Sequence, residues 1–215
     1  MLDAVLFDLD GTLSDPAEGI TGAFRHAVSV HGMPAHDDLD LRWIIGPAVR
    51  HNFARYGLPE DNHDEAVRTF RARMMEVGLY QADLIEGIVD VLDALRTDGI
   101  PLAVATAKPT EQAQINLEHL GLLDRFTVVA GGIADGQPLS KGQIVADALV
   151  QLGRPDPTRV AMVGDRVHDI DGARDNGLIS VAVTWGFAED GEHAASAPDH
   201  VVSTPTALLD VLRSL

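Results

Sequence analysis

From Leu84 onward, short runs rich in Val, Ile and Ala alternate with longer runs of helical spacing. The helical runs close on glycines: Ile88–Asp98 at Gly99, Thr110–Leu120 at Gly121, Lys141–Leu152 at Gly153 and Asp169–Asn176 at Gly177. Glycine accepts the left-handed conformation that ends a helix. Between them, Leu102–Thr106, Phe126–Ala130, Val160–Val163, Ser180–Val183 and Asp199–Val202 read as strands, and Thr206–Leu212 as a last helix. This alternation predicts an α/β fold, a parallel sheet with right-handed crossovers and helices on both faces.

One further strand stands apart from that series. Val5-Leu6-Phe7 is apolar and runs into Asp8-Leu9-Asp10-Gly11-Thr12. Helical runs follow it without interruption: Ala17–His31, Leu41–Tyr56 and His63–Tyr80, broken at Gly57-Leu58-Pro59. Asp15-Pro16 reads as an N-cap followed by a first-turn proline. No strand is expected between 14 and 82. The simplest organisation is a catalytic core of residues 1–14 and 83–215 with an α-helical cap domain, 15–82, inserted after the first strand.

With 215 residues, 46% hydrophobic and 23% charged, the chain can bury a sizeable core. No apolar run approaches the ~20 residues that span a bilayer. No secretory signal is visible, and the absence of cysteine excludes disulfides and thiolate metal sites. A cytoplasmic location is expected. The net charge of −17 disfavours nucleic acid and anionic membranes as partners. Of the 16 basic residues only Lys108 and Lys141 are lysines. A lysine is a compact point charge, suited to a place beside clustered oxyanions.

In an open parallel sheet, ligands bind outside the carboxyl ends of the strands. There the sequence places Asp8 and Asp10, then Thr106-Ala107-Lys108, then Gly164-Asp165-Arg166-Val167-His168-Asp169, with Lys141 opening the preceding helix. Asp8 and Asp10 lie on one side of their strand, where two carboxylates repel unless a cation or proton is shared. Hard oxygen ligands without cysteine point to Mg²⁺. Asp8 and Asp165 are the direct ligands expected, Asp10 contributes its backbone carbonyl, and Asp169 holds metal-bound water. Thr106 and nearby N–H groups suit phosphoryl oxygens, and Lys141 suits neutralising the nucleophile and the transferring group. Arg166 and His168 are expected at the surface or behind the ligands, Trp43 in cap packing and Trp185 near the cap hinge.

Taken in order, these motifs resemble the haloacid dehalogenase-like hydrolase superfamily along the whole chain, in its phosphatase branch. The resemblance implies a Rossmann-like core and a helical cap. It further implies that Asp8 attacks phosphorus to form an aspartyl-phosphate and that Asp10 protonates the leaving oxygen. Asp8, Asp10 and Asp165 would then hold Mg²⁺. Asp10 speaks against dehalogenation, because displacing halide needs no proton donor. The nearest resemblance is to phosphoglycolate phosphatase-like and 5′-nucleotidase-like members. Ile45-Gly46-Pro47 with Arg50 looks like their substrate-facing cap segment, and Thr12, Thr106, Ala107, Lys108 and Arg50 are the substrate contacts it implies. Ala107 departs from the Asn carried by many relatives, which weakens the case for hydrogen bonds from that position, while Thr106 and Lys108 stand.

The expected activity is Mg²⁺-dependent hydrolysis of a small phosphorylated metabolite, phosphoglycolate or a nucleoside monophosphate, by a monomer or homodimer. A phosphomutase and a non-catalytic phosphate-binding regulator are the alternatives.

Overall fold

The computed structural model describes residues 1–36, 38–133 and 139–215. They form two compact units, one of Met1–Asp15 with Leu84–Leu215 and one of Pro16–Asp83.

The larger unit is built on a six-stranded sheet. Its strands are β1 (Ala4–Phe7), β4 (Leu102–Pro109), β5 (Val128–Gly132), β6 (Val160–Gly164), β7 (Ile179–Val183) and β8 (His200–Val202). All neighbours are parallel, in the order β5-β4-β1-β6-β7-β8. This is an α/β, Rossmann-like fold. Two-residue strands β2 (Ser14–Asp15) and β3 (Asp83–Leu84) mark where the chain passes between the units.

Strand alternation explains how one sequence serves two cores. Val5, Phe7 and Leu9 belong to a cluster with residues of helices α4 (Ile88–Thr97), α5 (Thr110–His119) and α9 (Pro205–Ser214). Ala4 and Leu6 belong to a second cluster with residues of α6 (Lys141–Gln151) and α7 (Val167–Asp175). Every residue of β1 is buried, as a strand covered on both faces requires. A short helix, α8 (Glu192–Ser196), completes this unit.

The smaller unit contains α1 (Ala17–Val30), α2 (Val49–Tyr56) and α3 (His63–Glu76). Phe24 stacks on Phe53 with ring centroids 4.8 Å apart, and Trp43 and Tyr56 meet Phe24 edge-on. Trp43 is thus a packing residue, with the Arg55 guanidinium 4.3 Å from its ring centre. Gly19 of α1 lies against the Gly78 carbonyl, so close that a Cβ would collide with it.

Several boundaries differ from the sequence reading. Pro16, not Asp15, is the cap residue of α1, and no side chain caps that end. The helix expected over Leu41–Tyr56 is a 3₁₀ turn, Arg42–Ile44, followed by α2, because Gly46 takes φ 104° and Pro47 follows it. The helix expected over His63–Tyr80 ends at Glu76, and Gly78–Tyr80 is a 3₁₀ turn. Strand β5 lies two residues later than expected, and α7 starts two residues earlier.

Candidate active site

The sheet order places β1 between β4 and β6. Phe7 pairs in register with Val104 and with Val163. Asp8 is the next residue, and its N–H donates to the Val163 carbonyl at 2.9 Å. The carboxyl ends of three adjacent strands therefore carry Asp8, Thr106 and Asp165 to one edge. This is the switch point of the fold, since the chain winds from β1 outward to β4 and β5 and returns to β6 on the other side.

Lys141 ties that edge together. It is the first residue of α6, whose N-cap Ser140 and Gln143 form a reciprocal capping box. Its Nζ donates to Asp8 Oδ1 at 2.7 Å and to the Ala105 carbonyl at 2.8 Å. It also lies 2.8 Å from Asp169 Oδ1, and the lysine side chain is only 6% exposed. Burial alone would lower the lysine pKa, but the carboxylates of Asp169 and Asp8 outweigh it and raise the pKa.

A second lysine holds the second acid. Lys108 Nζ donates to Asp10 Oδ1 at 2.7 Å and to Asn116 Oδ1 at 3.3 Å. Burial nevertheless pushes the Asp10 carboxyl above its ordinary value, with Lys108 pulling it down and Asp8 pushing it up. An acid held in that state suits proton delivery.

Asp165 and Asp169 stand on the loop and first turn after β6. Asp165 Oδ2 accepts the Phe187 N–H at 2.7 Å, and the Thr12 hydroxyl donates to Oδ1 at 3.4 Å. Burial, then the charges of Asp169 and Asp8, push the Asp165 carboxyl well up. Asp169 Oδ2 accepts the Arg166 N–H at 3.0 Å. Burial raises Asp169 as well, against the pull of Lys141. Gly164 is required beside it, since a Cβ there would run into the Asp169 carboxyl. Gly11 has φ 87° and turns the chain against Asp165.

Asp8, Asp165 and Asp169 each offer an oxygen, all within 4.8 Å of one another, and all three residues are buried. Counting Asp10, four carboxylates face two ammonium groups. Burial is the largest cause of the raised pKa values of Asp10, Asp165 and Asp169, and neighbouring carboxylates push each of them further up. The donors are oxygens only, and no cysteine exists. A hard divalent cation fits this set.

The other residues singled out in the sequence fall as follows. Thr106 is buried, and its hydroxyl accepts the Lys108 N–H at 3.3 Å. Ala107 is exposed. Thr12 is fully buried with its hydroxyl on Asp165. Lys108 touches Asp10. Arg50 lies in the helical unit, where its guanidinium pairs with Asp64. His168 is exposed, but Arg166 is buried and bonds to Glu192. Trp185 Nε1 donates to the Thr12 carbonyl at 3.2 Å. The sequence reading missed Asn116, fully buried behind Lys108, and Glu192 and His193, which hold the Asp165 loop. An Asn in the interior of a helix was a usable signal for the first.

The family description "haloacid dehalogenase-like hydrolase" matches residues 5–183. The chain belongs to that family. It is 41% identical to a protein of Mycobacterium tuberculosis named tyrosine-protein kinase PtkA, over 97% of this chain and 70% of that one. It is 36% identical to a 5′-nucleotidase of Pseudomonas aeruginosa, over 98% of this chain and 95% of that one. A solved structure described as a predicted phosphatase, from Clostridium acetobutylicum, superposes with a TM-score of 0.92 at 30% identity over 100% of both chains. Proteins named phosphoglycolate phosphatase also match along nearly the whole chain. The protein is thus an enzyme of the hydrolase family, among relatives named phosphatases. No helix among the described residues is long and apolar enough to cross a membrane.

Proposed function

We propose that this enzyme is a Mg²⁺-dependent phosphomonoester hydrolase working through an aspartyl-phosphate on Asp8. The observation that carries the reading is the Lys141 ammonium held between Asp8 and Asp169, with Asp165 in the same oxygen cluster. An Asp8 oxygen attacks phosphorus, and the bond to the ester oxygen breaks. Asp10, whose carboxyl burial pushes above its ordinary value, gives a proton to the departing alkoxide. It then takes a proton from water as the water attacks phosphorus, which frees Asp8 and releases inorganic phosphate. Lys141 offsets the charge of Asp8 and of the transferring group. Thr106, Ala107 and Lys108 border the phosphate position, while Thr12 supports Asp165. Asp8, Asp165 and the Asp10 carbonyl would hold Mg²⁺, with Asp169 behind them. The ion supplies charge neutralisation at the phosphoryl oxygens when bound.

The helical unit, Pro16–Asp83, serves as a cap that selects the substrate, with Arg50 as a contact. A nucleoside 5′-monophosphate is the first candidate, on the 36% identity to a 5′-nucleotidase along nearly both chains. Phosphoglycolate is the second, on a 28% match. The absence of cysteine supports a cytoplasmic location.

The deciding test compares wild type and Asp8→Asn with p-nitrophenyl phosphate and a panel of phosphorylated metabolites. The variant should fold and lose nearly all turnover, and EDTA should abolish wild-type turnover until Mg²⁺ is restored. Retained turnover in Asp8→Asn refutes the nucleophile. The PtkA match favours a second reading, in which the phosphoryl group passes to a tyrosine instead of water. Labelled ATP with a tyrosine peptide separates the two, because only the second gives labelled peptide.

A further inference from the structure

The N-terminus of α7 carries Asp165 just before it and Asp169 in its first turn, so its geometry sets the spacing of two of the three clustered carboxylates. Its N-cap residue is Arg166, whose side chain has only donors. A helix start leaves backbone N–H groups without intrahelical partners, and an Asp or Ser cap would ordinarily accept one. Here the acceptor comes from elsewhere in the chain. Glu192 of α8 accepts the Val167 N–H through Oε1 at 2.6 Å. The same carboxylate accepts Arg166 Nε at 3.0 and 3.3 Å and the Glu189 N–H at 3.0 Å. The next residue, His193, donates from Nε2 to the Asp165 carbonyl at 2.7 Å.

Two consecutive residues of a five-residue helix thus grip both sides of the Asp165–Arg166–Val167 backbone. Side chains continue the grip. Arg166 is buried under Glu192, and its own N–H is taken by Asp169 Oδ2. The Phe187 N–H, on the segment leading into α8, holds Asp165 Oδ2. Moving α8 would therefore move Asp165 and loosen Asp169, although the bonds of Glu192 named above run to Arg166, Val167 and Glu189 and not to the clustered carboxylates.

We infer that Glu192, aided by His193, is a positioning residue for the divalent-cation site. It fixes the Asp165–Asp169 turn at the spacing the ion needs and so sets cation affinity. The inference rests on the reading of Asp8, Asp165 and Asp169 as a cation site. Groups behind metal ligands tune affinity about 10- to 100-fold. Glu192→Gln keeps the size and one acceptor oxygen but loses the charge that pairs with Arg166. Glu192→Ala loses all four bonds.

Calorimetric titration of Mg²⁺ into the full chain without substrate reads the affinity directly. Thermal unfolding in EDTA reads the fold. The Mg²⁺ dissociation constant should rise about tenfold in Glu192→Gln and further in Glu192→Ala. Glu86→Gln, an exposed acid of the same unit, removes equal charge and should leave it unchanged. With Mg²⁺ saturating, kcat of Glu192→Gln should return to within about threefold of wild type. A purely structural glutamate would lower the EDTA melting temperature yet leave the dissociation constant alone, and that result overturns the inference. An equal rise in Glu86→Gln overturns it too, by showing general electrostatics. If wild type binds Mg²⁺ and Glu192→Gln binds it equally, the positioning role alone falls. If wild type binds no divalent cation, the cation-site reading falls with it.

Discussion

Lys141→Met tests the central contact of the site, because it keeps side-chain length and deletes the charge. The wild-type ammonium lies 2.7 Å from Asp8 Oδ1 and 2.8 Å from Asp169 Oδ1. At an effective dielectric near 20, each such contact has a gross Coulomb energy of about 6 kcal/mol. Desolvating the three ions cancels most of that gain, at several kcal/mol per ion. The net worth of the cluster is accordingly small, but deleting one partner is a different matter. It leaves two buried carboxylates without their counter-charge, a loss of about 3–5 kcal/mol. In a protein of this size that lowers the melting temperature in EDTA by on the order of 10 °C. The sign with pH follows from the raised lysine pKa. The stabilisation is fully present below the ordinary lysine value of 10.5 and fades only as pH climbs through the higher folded value. The gap between wild type and variant should therefore hold steady from pH 7 to about 9. Mg²⁺ should restore part of the lost stability, since the ion supplies positive charge to the same acids. Turnover should fall about 10²- to 10³-fold. Thermal unfolding followed by circular dichroism, with and without Mg²⁺, reads the stability change. A variant that melts within about 2 °C of wild type in EDTA would refute the argument that Lys141 compensates buried charge.

Other expectations follow from neighbouring residues. Asp165→Asn should raise the melting temperature in EDTA while weakening Mg²⁺ binding. The Asp165 carboxyl is pushed well above its ordinary value, so its ionised form costs stability at neutral pH; a lower melting temperature contradicts this. Gly164→Ala should cost about 1–3 kcal/mol and abolish turnover, because the added methyl meets the Asp169 carboxyl; wild-type kinetics would show that the loop has room. Asp199 accepts the Ser180 N–H and hydroxyl at 2.8 and 2.7 Å, which hold its carboxyl below the ordinary value of 3.8. That stabilisation is present above pH 3.8 and lost as pH falls further. The gap in urea stability between wild type and Asp199→Asn should thus shrink in acid, and a gap independent of pH would be inconsistent with it.

The strand and helix alternation was legible because local signals agreed with the final packing. Gly99, Gly121, Gly153 and Gly177 all take positive φ at helix ends. The acids and lysines at the strand ends were legible for the same reason, once topology supplied their common edge. The misread boundaries lie where distant contacts overrule propensity. Phe126 and Thr127 favour a strand, yet Phe126 closes a 3₁₀ turn. Gly131 and Gly132 disfavour one, yet they continue β5 by pairing with Thr106 and Pro109 of β4, where the backbone of Ala107, Lys108 and Thr110 leaves no room for a Cβ. The sequence places Asp169 at a helix start behind the metal ligands, and its Oδ2 also accepts the Arg166 N–H there. The acceptor of the next N–H, Glu192, comes 25 positions after Val167 and leaves no local trace. Helix α8 spans five residues, too few for an amphipathic period to show.

The central strand of the sheet also dictates when the site can assemble. Asp8 waits 133 positions for its lysine, Asp10 waits 98, and Thr12 meets Asp165 only after 153. Until those segments arrive, the acids stay hydrated, for a carboxylate cannot leave water without a counter-ion. Closing such long loops costs chain entropy, so the reactive cleft can dry only once those distant segments have docked. Partly folded chains then present a loose acidic end instead of a formed nucleophile, and competence for chemistry arrives together with completion of the fold.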